Sequence, residues 1–208
     1  MKKTWLGCYV VLGLFVSIYS PSSNADDAFD MEVTSSLGFM SKYTWRGWEI
    51  NKDPSGYGAI HIGYGGFYTG IWGGTDGTLG SEIDLYVGYG GQFNDDISYD
   101  FGYIQYRYPE SDVDVQEWHL TVDFSYFNAS YHRGEDNYNY VELNKSFELT
   151  DKFSFDLHAG REDTGSWTWN DYQATLNYQI NDNYRAYLGA TSKEDHEEYV
   201  FVGLHADF

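Results

Sequence analysis

From about residue 30 onward the chain alternates. "EIDLYVGY" sets Ile83, Leu85, Val87 and Tyr89 against Glu82, Asp84, Tyr86 and Gly88. "EWHLTVDF" sets Trp118, Leu120, Val122 and Phe124 against Glu117, His119, Thr121 and Asp123. "KFSFDLHAG" and "DYQATLNYQI" repeat the scheme, and no sustained helical period interrupts it. Successive side chains of a strand point to opposite faces, so a period of two commits one face to an apolar neighbour and the other to polar groups.

Parsing between turn signals yields about twelve strands: 30–42, 56–65, 67–75, 81–91, 97–108, 116–124, 126–134, 138–149, 152–161, 168–179, 184–192 and 198–208. A tilted strand of about 9–11 residues crosses a bilayer, and most of these are long enough. The connections alternate in length. Those near 65–66, 92–96, 125, 150–151 and 180–183 are short, and those near 43–55, 76–80, 109–115, 135–137, 162–167 and 193–197 are longer. Short turns at one end and longer loops at the other characterise outer-membrane barrels. A soluble sandwich would bury its apolar faces against each other and need not sort its loops by parity. The expected fold is all-β: a transmembrane antiparallel up-and-down β-barrel of about twelve strands.

Aromatic residues follow the same parity. Trp45, Trp48, Trp72, Trp118, Trp167 and Trp169 fall at or near the long-loop ends. Tyr64, Phe67, Tyr89, Phe124, Phe127, Phe153, Tyr178, Tyr184 and Phe208 fall at the short-turn ends. Two interfacial girdles are therefore expected. The last segment, "YVFVGLHADF", alternates to its final residue, as a strand paired with the first one would. Phe208 then sits at the periplasmic boundary, where the ending resembles the signal read by the barrel-insertion machinery. Two places resist this reading. Lys145 interrupts the apolar face of "VELNKSFEL", where a lipid-facing lysine at the midplane would cost about 2–4 kcal/mol, so either a bulge re-aims it or the strand takes another register there. The face assignment of "GFYTGIWGG" is ambiguous.

The first residues read differently. Lys2 and Lys3 precede an apolar run over 5–18, and Ser23 and Ala25 stand at the small positions of a cleavage site. Residues 1–25 are thus expected to be a secretory signal peptide, leaving 26–208 as the outer-membrane barrel domain. Cys8, the one cysteine, leaves with it, so the mature chain is expected to have no thiol chemistry and no disulfide. Of 12 basic residues, 10 remain against 32 acidic ones, a net charge of about −22. That balance repels nucleic acid, which is excluded as a partner. Aromatic residues make up 20% of the chain, which argues against disorder.

The inward face carries the candidate chemistry. The pore-lining candidates are Glu82, Asp84, Asp100, Glu117, Asp123, Glu142, Asp156 and Asp171, with Arg185 as the inward cation and His61, His119, His132, His158 and His205 beside them. Twelve strands enclose a narrow lumen and rings of carboxylates favour cations in a pore, so the expectation is a cation-preferring channel or a filled interior in which the acids pair with Arg185, the histidines and water. No catalytic residue, metal ligand or cofactor is assigned. Two other classes remain open to this sequence. A hydrolase would need a serine held by a histidine; Ser130 and His132 share a face with Asn128 behind them, but no nucleophile elbow accompanies them. A non-conducting surface barrel could present the acidic loops "ESDVDVQE" and "KEDHEE". Arg46, Lys52, Arg107, Arg133 and Arg161 lie near the long-loop end, where they would meet anionic headgroups or entering solutes.

"SKYTWRGWEINKDPSGYGAIHIGYGGFYTGIWGG", then "EIDLYVGYGG" and "ISYDFGYIQYRYPE", resembles the TorF-type porin family. This is a proteobacterial outer-membrane group first catalogued as a family of unknown function. Tyr43, Arg46-Gly47, "EIDLYVGY" and "YIQYRYP" carry the resemblance over residues 35–110. It implies an outer-membrane barrel with a channel role, in a Gram-negative cell and exported by the general secretory route. It brings no settled substrate and no catalytic residues. The implied partners are outer-membrane lipids and lipopolysaccharide, the insertion machinery and small polar solutes.

Overall fold

A computed structural model describes residues 31–208. The expected signal peptide over 1–25, with Cys8, lies outside the described residues. The strands are β1 (Glu32–Met40), β2 (Tyr43–Trp45), β3 (Trp48–Asn51), β4 (Ser55–Tyr64), β5 (Phe67–Asp76), β6 (Gly80–Asn94), β7 (Ile97–Tyr108), β8 (Val113–Phe124), β9 (Phe127–Gly134), β10 (Asn139–Glu148), β11 (Phe153–Asp163), β12 (Thr168–Gln179), β13 (Tyr184–Lys193) and β14 (Glu198–Asp207). All but β2 and β3 form one closed antiparallel barrel of twelve strands in a meander order. Each expected strand is present, with ends moved by a few residues.

Closure is made by β1 against β14, from Ser36 opposite Asp207 to Met40 opposite Gly203. Ser35 and Phe208 extend this seam by exchanging backbone hydrogen bonds of 2.9 and 2.8 Å. At the short-turn end, Gly65 and Gly66 join β4 to β5 with φ of +57° and +87°. That is the two-residue turn whose twist matches the flanking strands. The other end differs from expectation. Its connections at 77–79, 109–112, 135–138, 164–167 and 194–197 are hardly longer than the turns opposite, because the strands run further there. Only the segment 41–54 is long, and it is not a simple loop, since it contains β2 and β3. The 109–112 connection is tied back to the wall: Ser81 donates its hydroxyl and its N–H to Glu110 (2.7 and 2.9 Å). These bonds hold the Glu110 carboxyl below its ordinary range.

Most large aliphatic side chains of the described residues are outside, Ile104 being an exception. Leu37, Ile60, Ile71, Val87, Leu120, Leu143, Leu188 and Val202 are all exposed on the outer wall. An apolar surface of this extent suits hydrocarbon rather than water. In β5 the ambiguity resolves by burial: Phe67, Thr69 and Ile71 face out, while Tyr68, Trp72 and Asp76 face in. A girdle at the short-turn end is built of ring pairs, among them Phe67–Tyr89 (4.8 Å), Phe124–Phe127 (4.9 Å) and Phe153–Tyr178 (4.9 Å). The tryptophan girdle is largely corrected. Trp118 and Trp167 are exposed, but Trp72 is buried, and Trp45, Trp48 and Trp169 pack into the interior. Lys145 is not re-aimed by a bulge: it pairs with Leu157 in an unbroken register. Its ammonium instead leans toward the rings of Phe147 (5.5 Å) and Tyr126 (5.8 Å), the latter in a turn at the barrel's end. A long stem that carries its charge toward the boundary relieves the cost.

The interior is the reverse of a soluble core. Its large side chains are mostly tyrosines, laid flat over glycines of the neighbouring strand. A Cβ on Gly203 would fall 2.2 Å from the Tyr187 ring and one on Gly160 2.0 Å from the Tyr140 hydroxyl. The glycine gives the ring its seat, and the hydroxyl reaches on to a polar partner, as Tyr57 does to His205 Nδ1 (2.9 Å) and Tyr68 to Asp100 (2.8 Å). Gly203→Ala should therefore cost about 1–3 kcal/mol by overpacking. Gly73→Ala, whose Cβ meets nothing nearer than 3.7 Å, should cost much less. Urea unfolding of the two variants in detergent checks the pair; equal midpoints would contradict the ring-on-glycine packing.

Candidate functional site

The 41–54 segment folds inward. Trp45 pairs with Trp48 across Arg46 and Gly47, whose φ of +49° and +77° make a two-residue hairpin turn. A left-handed arginine is uncommon and is held here by its contacts. The Arg46 guanidinium forks onto Glu117 of β8 through two 2.8 Å bonds and donates a third of 2.8 Å to the Tyr138 hydroxyl. It also lies 4.1 Å from the Tyr140 ring and 4.3 Å from that of Trp45. Such a planar fork onto a carboxylate is the strongest side-chain pairing available.

The turn also touches the adjoining wall. A Cβ on Gly47 would come within 2.8 Å of Asp171 and 2.9 Å of Lys193. The Lys193 ammonium donates to the Arg46 carbonyl (3.0 Å) and pairs with Glu162, which also accepts from the Trp48 indole (3.2 Å). Trp48 packs against His196 (4.4 Å) and Trp169 (5.8 Å). The hairpin leaves the wall between β1 and β4 and is anchored to β8 and to β11–β13 beyond, so it crosses the lumen. Arg46, expected to meet headgroups or entering solutes at the long-loop end, is an interior residue paired with Glu117. Arg107, Arg133 and Arg161 do stand exposed on the outside, bonded to the amides of Gln105, Asn139 and Asn170.

The inward acids fall on the inner faces of their strands. Glu82, Asp84, Asp100, Glu117, Asp171 and Arg185 are buried, and Asp123, Glu142 and Asp156 are half-buried. Many are linked. Glu117 accepts from His132 (2.9 Å), whose other nitrogen meets Glu142 (3.3 Å). Glu142 lies 3.6 Å from His158, which bonds Asp171 (2.9 Å). Arginine, carboxylate and imidazole thus alternate around β8 to β12. Asp100 bonds His119 (2.6 Å), and Asp156 accepts from Ser146 and Asn177 (both 2.6 Å). Ser130 bonds Thr121 (2.8 Å), and both nitrogens of His132 face carboxylates, so these two do not form a nucleophile–base pair here.

Glu82 and Asp84 stand apart. Tyr108 donates to one Glu82 oxygen (2.8 Å), while Glu82 Oε2 and Asp84 Oδ1 are buried without a partner. Glu162 and Lys193 were missed because the expected strands stop at 161 and 192. Continuing the parity of Asp156–His158–Gly160 and of Thr191 by one step would have brought both inside.

Residues 24–200 match the profile of a bacterial protein family of unknown function, Gcw_chp. No curated protein matches the sequence. Among solved structures, the KdgM porin aligns with a TM-score of 0.63 at 10% identity, covering 84% of this chain and 99% of that one. A KdgM porin in complex with disordered oligogalacturonate aligns at 0.61 and 9% identity, covering 85% and 99%. The NanC porin aligns at 0.58 and 9%, covering 84% and 98%. At such identities the likeness is one of fold.

The hairpin's anchorage can be tested directly. Glu117→Gln keeps the shape but leaves a buried guanidinium without its charge partner, a loss of about 3–5 kcal/mol for enclosed pairs. Amides of 43–51 should then exchange with deuterium far faster, while those of β10 to β13 keep their protection. An unchanged exchange pattern would show that the hairpin does not depend on this pair.

Proposed function

The chain belongs to the Gcw_chp family, whose function is unknown, and from the character of its lumen we propose that it is an outer-membrane channel for passive diffusion of small polar solutes, preferring cations. The observation that carries this reading is the charge inside. Among the described residues, seven carboxylates (Asp76, Glu82, Asp84, Asp100, Glu117, Glu162 and Asp171) are buried there. Arg46, Arg185 and Lys193 are the lysine and arginine side chains enclosed with them. A low-dielectric wall focuses such a field on the pore axis, attracting cations and repelling anions. The candidates Glu82, Asp84, Asp100, Glu117, Asp123, Glu142, Asp156, Asp171 and Arg185 are proposed as its lining.

The aliphatic outer wall and the porin-like fold support placement in the outer membrane of a Gram-negative cell. Residues 1–25 would direct export by the general secretory route, and the last strand would be read by the insertion machinery. The TorF-type porin name fits the same reading. One similar porin is known in complex with an oligogalacturonate. That ligand is a polyanion, and the acid-rich lumen here argues for solutes of the opposite sign or none.

The hairpin and the tyrosines favour one competing reading, a filled barrel that serves the envelope without conducting. Planar-bilayer recording on refolded protein separates the two. The expected result is discrete conductance with a reversal potential in a KCl gradient that favours K⁺, and a larger conductance for Arg46→Ala, in which the hairpin is released. Chloride preference would remove the cation reading, and an electrically silent barrel would leave the structural one.

A further inference from the structure

Most buried carboxylates of the lumen have an answer to their charge. Glu117 has Arg46, Glu162 has Lys193, Asp100 has His119 and Asp171 has His158. Asp76 accepts the N–H groups of Thr78 and Leu79 (both 2.6 Å). Among the described residues, no cation meets Glu82 or Asp84. They are two residues apart on β6, on the same inner face, and only 3% and 2% exposed. Glu82 Oε2 and Asp84 Oδ1 are left without a donor. A buried carboxyl in that condition either keeps its proton or is met by a positive donor, and only the second leaves both acids ionised.

What surrounds them narrows the donor. Asp84 lies across from Trp72 of β5 and Tyr106 of β7 in the sheet register. The Tyr43 ring of the hairpin packs 5.9 Å from that of Trp72, and Tyr106 packs 6.0 Å from Trp45. Tyr108 bonds Glu82. The walls are therefore aromatic faces, which attract cations but do not coordinate hard metals. A divalent ion would ask for six or more oxygens, and the described residues hold no cluster of three or more acids, histidines or cysteines suited to a metal. A quaternary ammonium would satisfy the rings but has no N–H for the two oxygens. A primary ammonium has three donors and one positive charge, and it answers both demands.

We infer that Glu82 and Asp84, enclosed by Tyr43, Trp72, Tyr106 and Tyr108, form a binding site for the primary ammonium group of a small organic solute. The inference deepens the cation-channel reading and rests on it for the route by which the solute arrives. Because Tyr43 belongs to the hairpin, occupation of the site and the position of the hairpin are linked.

Detergent-refolded full-length protein, titrated with ethylammonium, tetramethylammonium or sodium chloride at constant ionic strength, provides the test. Intrinsic tryptophan fluorescence reports binding, since Trp72 forms the wall and Trp45 lies beside it. Ethylammonium should give a saturable change at concentrations at least tenfold below those needed for the other two cations. It should also raise the unfolding midpoint. The Glu82→Gln/Asp84→Asn double variant should lose the response at least tenfold while unfolding no earlier than the parent without ligand, since it removes an unanswered charge. Should that variant fail to refold, Asp84→Asn alone carries the comparison. Equal responses to all three cations, or an undiminished response in the variant, would overturn the site. A silent barrel that binds ethylammonium would sink the channel reading alone, and a conducting barrel that ignores it would sink this inference alone.

Discussion

Everything in this molecule follows from having hydrocarbon, not water, outside. No solvent there can satisfy a backbone N–H or C=O, so each strand must be paired on both sides and the sheet must close. The β1–β14 seam meets that demand, down to the hydrogen bonds between Ser35 and Phe208. Closure has a second effect. It confines the inward-facing charges of the wall to one narrow interior, where they must find partners among themselves. The acid–imidazole series from Glu117 to Asp171 results from that confinement, with each charge answered by the residue on the next strand.

The hairpin extends the same logic across the lumen. A loop left in solvent could place Arg46 anywhere, and an exposed ion pair would hold it weakly. Inside the barrel the guanidinium meets a buried carboxylate in a low dielectric and two aromatic faces. Tyrosine suits this interior because it fills volume above a glycine and still carries a polar end. An all-aliphatic filling would leave the carboxylates unanswered, and an all-polar one would leave the space wet.

Period two made the twelve wall strands legible, because on a lipid-facing barrel the two faces of a strand meet opposite environments along its whole length. The hairpin was not legible as structure. Its strands span three and four residues, too few to display a period. The Arg46-Gly47 turn between two tryptophans was a local signal of the right kind, but its inward course is decided by Glu117 and Glu162, which lie 71 and 114 residues from their partners. The tryptophans misled for the same reason. Lipid claims rim aromatics only where nothing inside needs them, and here the hairpin carries Trp45 and Trp48 inward and gathers Trp72 and Trp169 around itself. The inner acids were visible one by one from parity, whereas which of them are answered depends on neighbours the one-dimensional pattern does not contain.

That distinction divides the lumen. From β8 to β12, Glu117, Glu142, Glu162 and Asp171 are spent on imidazoles, Arg46 and Lys193, the groups that hold the hairpin or stand beside it. On β6 the two acids are met by phenols alone, Tyr108 bonding Glu82 and Tyr43 of the hairpin lying beside both. A barrel selected only for stability would gain by replacing such a pair with amides, as buried ionic groups without partners oppose folding. Keeping it is reasonable where an arriving cation completes the pair. The committed acids fix the hairpin's place, and the uncommitted ones leave a vacancy of charge beside it for a solute to fill.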